Sequence, residues 1–153
     1  PNAVLQAPWE RSSVPVEHQI RGVANVALWE QDAEPTTRFM TEQLGFEPIG
    51  EVGEAVRYRV GEGIGAADVR AVGGFWSGSV SAGTVHHVAW STPDDAAQAA
   101  WLERLDSVVP GLTSVQDRQY FHSIYFREPG GVLFEIATDT PGFTIDEDPD
   151  RLG

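Results

Sequence analysis

The chain has 153 residues, 41% of them apolar, which suits one medium domain or two small modules sharing a core and excludes a disordered chain. Acidic residues outnumber basic ones by 23 to 10, and the formal charge of −13 opposes nucleic-acid phosphates and anionic lipid, so neither nucleic acid nor membrane is expected as a partner. Cysteine is absent, which excludes disulfides, thiol catalysis and thiolate metal sites and is compatible with a cytoplasmic protein; no apolar run approaches the roughly 20 residues that span a bilayer.

Residues 1–20 carry Pro8 and Pro15 without a sustained hydrophobic period and read as a linker; an opening Pro1 in place of Met suggests a piece of a longer polypeptide. A strand is predicted over 22–30, then a helix over 33–44 with Asp32 as N-cap and Gly45 closing it. Strands follow over 46–52, 54–60 and 67–73, separated by glycine-rich turns. The Gly/Ser-rich run 74–83 is a flexible connection, after which the order recurs. Residues 84–91 read as a strand, Thr92 as an N-cap with Pro93 at the first helical position, and 94–105 as a helix with Trp101, Leu102 and Leu105 towards the core. Strands over 112–118, 121–127 and 131–138 complete the second set, and 141–153 form an acidic tail.

The repeat can be written in register. "NVALWEQDAEPTTRFM" from Asn25 lies over "HVAWSTPDDAAQAAWL" from His87, an offset of 87 − 25 = 62 residues. The expected fold class is therefore α+β, with two βαβββ modules, 21–73 and 84–140, sharing one curved mixed sheet with helices outside and a concave cavity inside. Function is expected in that cavity.

Strand alternation puts His87 with Ala89 and Ser91 on one face, and Glu135 with Leu133 and Ala137 on one face of the last strand. Glu135, an acid between Phe134 and Ile136, can then avoid the packed core and point towards His87. A neutral imidazole and a carboxylate on neighbouring strands offer a divalent metal one nitrogen and one oxygen, and one more histidine would complete the facial triad of non-haem Fe(II) oxygenases. In the first module Asn25 stands where His87 does, and laying "GAADVRAV" under "GVLFEIAT" sets Val69 under Glu135, so no ligand is expected there. A histidine in an apolar strand is more often structural; His18, in the linker, and His122, facing away from Tyr125, are read as structural or solvent-facing, and the one-sided distribution of His87 and Glu135 across the repeat favours metal binding. The glycines of 61–69 lack a phosphate-loop lysine, and the chain has no nucleophile elbow.

These residues resemble the vicinal oxygen chelate (glyoxalase/bleomycin resistance/extradiol dioxygenase) superfamily, and within it the ring-cleaving hydroquinone dioxygenases. The resemblance runs from about Val16 to Gly153 and is most specific in "GTVHHVAW" and "DRQYFHSIYFREPGGVLFEIATDTPGF". It implies a four-module enzyme of which this chain is the C-terminal half, with Fe(II), or Mn(II) in its place, held by His87 and Glu135 and by a third protein ligand that this chain does not contain. It further implies His86 as the ligand's neighbour, and Arg118 and Tyr125 beside a small aromatic substrate and O2, with Arg118 stabilising a phenolate or peroxo anion and Tyr125 bonding to substrate oxygen. The missing N-terminal half or another protomer is the implied partner, an oligomer is expected, and the isolated chain is expected to be inactive. Two other readings stay open: a non-catalytic ligand-binding or scaffold module of the same fold, and a dimeric glyoxalase-like metal-dependent isomerase or lyase.

Overall fold

One element order occurs twice along the chain in the computed structural model, which describes residues 7–61, 65–76 and 78–148. The outer parts of the expected linker and acidic tail, residues 1–6 and 149–153, lie outside the described residues. Contacts divide the chain into two units, Pro1–Trp76 and Ser77–Gly153. Within residues 7–20, a short 3-10 helix (Val16–His18) precedes Gln19, whose side-chain amide donates to the carbonyls of Trp9 and Val14.

The first unit contains β1 (Asn25–Glu30), α1 (Ala33–Glu42), β2 (Glu47–Val52), β3 (Ala55–Arg59) and β4 (Ala66–Ala71). Its sheet has the order β1-β4-β3-β2, with β1 parallel to β4 and the other pairs antiparallel. The Asp32 carboxylate accepts the Glu34 N–H at 3.1 Å and starts α1, as expected for an N-cap. The helix ends at Glu42 because the chain turns back at Gly45 (φ 75°), where the Phe46 N–H reaches the Met40 carbonyl at 3.0 Å in a Schellman-type turn. Met40, Leu44 and Phe46 are buried with Leu28, Tyr58 and Val69, so the apolar face of the sheet is the face under the helix.

The second unit contains β5 (Val88–Thr92), α2 (Asp95–Asp106), β6 (Gln116–Asp117), β7 (Phe121–Arg127) and β8 (Leu133–Pro141), with sheet order β5-β8-β7-β6. Its core is Leu105, Val109, Ile124, Phe126, Phe134 and Ile136. Phe126 and Phe134 meet edge to face with ring centroids 6.0 Å apart, and burying each ring is worth about 1.5–3 kcal/mol. Gln98, buried on α2, donates to the carbonyls of His122 and Ile136 at 2.7 and 2.9 Å, joining helix to sheet where the β7–β8 register shifts.

Several details differ from the sequence reading: β5 begins at Val88, so His86 and His87 precede it instead of lying inside the strand expected over 84–91, and β6 is shorter than the strand expected over 112–118. The N-cap of α2 is Asp94, whose carboxylate accepts the Ala97 N–H at 2.8 Å; Thr92 is the buried last residue of β5, paired with Thr138. The repeat contained this answer, since 94 − 32 = 62 places Asp94 in register with the cap Asp32. Only Leu105 of the three expected core residues of α2 is fully buried, while Trp101 and Leu102 are half-buried. Hydrogen bonding groups the described strands into two four-stranded sheets, one in each unit, in place of a single shared sheet.

Candidate functional site

β8 lies between β5 and β7 in the second sheet, and one register line crosses all three strands at Ala89, Glu135 and Tyr125. Side chains on that line share a face, opposite Phe134 and Ile136. Ala89 adds only a methyl group, which leaves the space over β5 to His87 two residues earlier. His87 Nε2 lies 2.8 Å from Glu135 Oε2.

Glu135 is 2% exposed. A buried carboxylate without partners costs several kcal/mol, and here it has three. The Ser123 hydroxyl donates to Oε1, the Tyr125 hydroxyl donates to the same oxygen at 2.9 Å, and the His87 imidazole faces Oε2. The His87 side chain is 36% exposed against 3% for that of Glu135, so the pair is approachable from the imidazole side. His86 Nδ1 stands 3.0 Å from His87 Nδ1, and one of the two nitrogens must donate to the other. A proton on His87 Nδ1 donated to His86 is the tautomer in which Nε2 can serve as a metal ligand, whereas without a metal the 2.8 Å approach to Glu135 Oε2 requires a proton between the two atoms.

Tyr125 is fixed on several sides. Its backbone N–H donates to the Thr113 hydroxyl and its carbonyl accepts the Thr113 N–H, both at 3.0 Å. Its ring meets His87 edge-on at 5.9 Å, and the Arg118 guanidinium carbon sits 5.4 Å from its centroid. Arg118 also lines an open depression of about 830 Å³ with Asp117, Gln119, His122, Pro141 and Ile145. The walls of that depression do not include His87 or Glu135, and Arg118 is the residue it shares with the cluster.

All five residues singled out from the sequence therefore lie in one chain of contacts: His86 on His87, His87 on Glu135 and Tyr125, Arg118 on Tyr125. Sequence reasoning missed Ser123 and Thr113. Ser123 was within reach, because it is two residues before Tyr125 on one strand and must share its face. Thr113 lies in the loop before β6 and is found only by its contacts.

The donor set fits a divalent metal. Imidazole nitrogen and carboxylate oxygen suit first-row cations, and the 2.8 Å separation of the two donor atoms is close to the ~3 Å edge between neighbouring ligands at about 2.1 Å from an ion. Among the described residues there is no group of three or more His, Cys, Asp or Glu side chains that would hold an ion.

One placement is corrected. Val69 does not stand where Glu135 stands. Ala27, in register with Ala89, pairs with Asp68, and Asp68 pairs with Arg57, just as Glu135 pairs with Tyr125. The true offset is 135 − 68 = 67, one more than the 131 − 65 = 66 set by aligning the glycines, and a one-residue slip in a strand exchanges its faces.

The profile of the Glyoxalase/Bleomycin resistance protein/Dioxygenase superfamily matches residues 22–136. The chain belongs to that superfamily. It is 39% identical over 145 residues to MhqO of Bacillus subtilis, provisionally named a ring-cleaving dioxygenase, covering 95% of this chain and 46% of that protein. It is 39% identical over 156 residues to a chlorohydroquinone/hydroquinone 1,2-dioxygenase of Sphingobium indicum, covering 95% of this chain and 47% of that enzyme. The crystal structure of a provisionally named dioxygenase from Bacillus subtilis superposes with a TM-score of 0.82 at 39% identity, over 91% of this chain and 45% of that one. The chain spans about half the length of the curated relatives it matches. Among the described residues no helix is long and apolar enough to cross a membrane.

Proposed function

We propose that this chain supplies part of the active site of an Fe(II)-dependent, extradiol-type ring-cleaving dioxygenase for hydroquinone-like aromatics, with Mn(II) as the alternative metal. The observation that supports this reading best is the 2.8 Å approach of His87 Nε2 to Glu135 Oε2, in a superfamily member 39% identical to a hydroquinone dioxygenase.

His87 and Glu135 would hold the metal. The chemistry it supplies when bound is a meeting place for an electron-rich phenolic ring and O2, through which electrons pass from one to the other. Glu135 contributes negative charge, and Ser123 and Tyr125 keep its Oε1 occupied so that Oε2 faces the imidazole. His86 accepts the His87 Nδ1 proton and fixes the tautomer in which Nε2 is a ligand. Arg118, over the Tyr125 ring, provides a fixed positive charge for a phenolate, and the Tyr125 hydroxyl, which donates to Glu135 Oε1, is a proton donor beside the pair. Two protein ligands bind a metal weakly, so the third belongs to an N-terminal half or another protomer, and the chain alone does not turn over.

The test is anaerobic Fe(II) titration of the wild type, His87→Ala and Glu135→Gln, followed by addition of hydroquinone and O2. Weak binding by the wild type, lost in both variants, with no ring-opened product, is expected. Unchanged binding in His87→Ala would defeat the metal assignment, and sustained ring opening by the chain alone would defeat the need for a third ligand. A non-catalytic binding module is the second reading. It draws support from the first unit, where Asn25 and Arg57 stand at the places of His87 and Tyr125; aromatic binding that persists in chelator would favour it.

A further inference from the structure

The corrected register gives the first unit a constellation of its own. Asp68 corresponds to Glu135 through its pairing with Ala27, Arg57 corresponds to Tyr125 through its pairing with Asp68, and Asn25 corresponds to His87 two residues before that line. The burial pattern of β1 agrees with this frame. Ala27 and Trp29 are exposed as Ala89 and Ser91 are, and Glu30 is buried as Thr92 is.

The contacts also correspond. Asn25 Nδ2 donates to Asp68 Oδ2 at 2.8 Å, the same spacing as His87 Nε2 to Glu135 Oε2. Where Tyr125 offers Glu135 a neutral hydroxyl, Arg57 offers Asp68 a charged fork: Nε to Oδ1 at 2.6 Å and Nη2 to Oδ2 at 2.7 Å. Both carboxylate oxygens of Asp68 therefore already face a cation. The Asp68 side chain is 10% exposed, so this charge is balanced inside the unit with little help from water.

We propose that Asn25, Arg57 and Asp68 are the first unit's counterpart of the His87–Glu135 centre, a divalent-cation site in which the Arg57 guanidinium is the resident cation. The guanidinium takes a lone pair on each Asp68 oxygen and adds a positive charge that repels a metal ion. Asn25 offers no imidazole-like nitrogen lone pair, and its amide NH2 donates to Asp68. Arg57 is thus what keeps this unit metal-free, and a first-row divalent cation can occupy the site once the guanidinium is gone and an imidazole stands at position 25. The inference rests on reading His87 and Glu135 as metal ligands.

Co(II) is the probe, with the full chain, equilibrium dialysis for stoichiometry and visible absorption for the ligand field. Asn25→His with Arg57→Tyr copies the second unit's residues and is expected to bind about one more Co(II) than the wild type. That extra equivalent should survive the addition of His87→Ala. Asn25→His with Arg57→Lys, which keeps a cation in place, should gain none. A folded Asn25→His/Arg57→Tyr chain that binds no more Co(II) than the wild type overturns the proposal, as does an equal gain in the Arg57→Lys version. Should the Tyr version be unfolded without metal, folding on addition of Co(II) supports the site and persistent unfolding in Co(II) overturns it. Wild-type Co(II) binding that is indifferent to His87→Ala would defeat the second-unit reading instead, a result separate from the count in the first unit.

Discussion

Glu135 shows how a carboxylate is made useful by its surroundings. Its Oε1 takes two hydroxyl donors while Oε2 is left to the imidazole, so one carboxyl group is both anchored and available. On the metal reading proposed above, removing an anchor should loosen Glu135's hold on the ion without abolishing it. Tyr125→Phe and Ser123→Ala are each expected to weaken anaerobic Co(II) binding by about 10–100-fold with the fold kept, as outer hydrogen-bond partners of metal ligands do. Titration with circular dichroism as the folding control measures this, and an unchanged affinity in both variants would mean that Glu135 needs neither. Glu135 itself was legible from the sequence as an acid out of place in an apolar strand. Asp68 was hidden because its pattern depends on a register that glycine alignment set one residue off.

At the level of elements, α2 is tied down at its start by two carboxylates with different tasks. Asp94 caps the helix, and Asp95 Oδ1 accepts a 2.6 Å hydrogen bond from His122 Nδ1 on β7. Asp94→Ala should lower stability by about 1 kcal/mol, or roughly 2–4 °C in Tm for a chain of this size, read by thermal unfolding; no loss would mean that the Asp94 cap contributes nothing to stability. The hydrogen bond to Asp95 raises the His122 pKa, burial opposes the rise, and the charges of Asp95 and Asp117 add to it. Because the folded-state value lies above the ordinary 6.5, the protonated imidazole stabilises the folded chain fully below about pH 6.5. That contribution fades as pH rises through the raised value. The Tm difference between wild type and His122→Gln should therefore be larger at pH 6 than at pH 8.5, and equal differences would show that the His122–Asp95 contact does not couple to folding. His122, read from the sequence as structural or solvent-facing, thus links a helix start to a strand; its spacing from Asp95, 27 residues, gave no sign of that.

For the molecule as a whole, a charge of −13 on 153 residues makes self-repulsion a general term in stability. Added salt screens it, with a Debye length falling from about 30 Å at 0.01 M to about 3 Å at 1 M. The Tm is expected to rise between 10 mM and 500 mM NaCl at pH 7.5, on the order of a few degrees. A falling Tm would instead point to the ion pairs, Arg57–Asp68 first among them, as the larger electrostatic term.

The sequence by itself determined the βαβββ order, the repeat and the first helix cap, and it pointed Glu135 towards His87, because each follows from local rules: side-chain alternation, capping chemistry and a fixed offset along the chain. Only the tertiary structure decided what depends on pairing between distant segments. The grouping of strands into two sheets and the placement of Asp68 opposite Arg57 are both of this kind. Strand register is set by hydrogen-bond ladders between residues far apart in sequence, and a shift of one residue moves a carboxylate from one face of a sheet to the other.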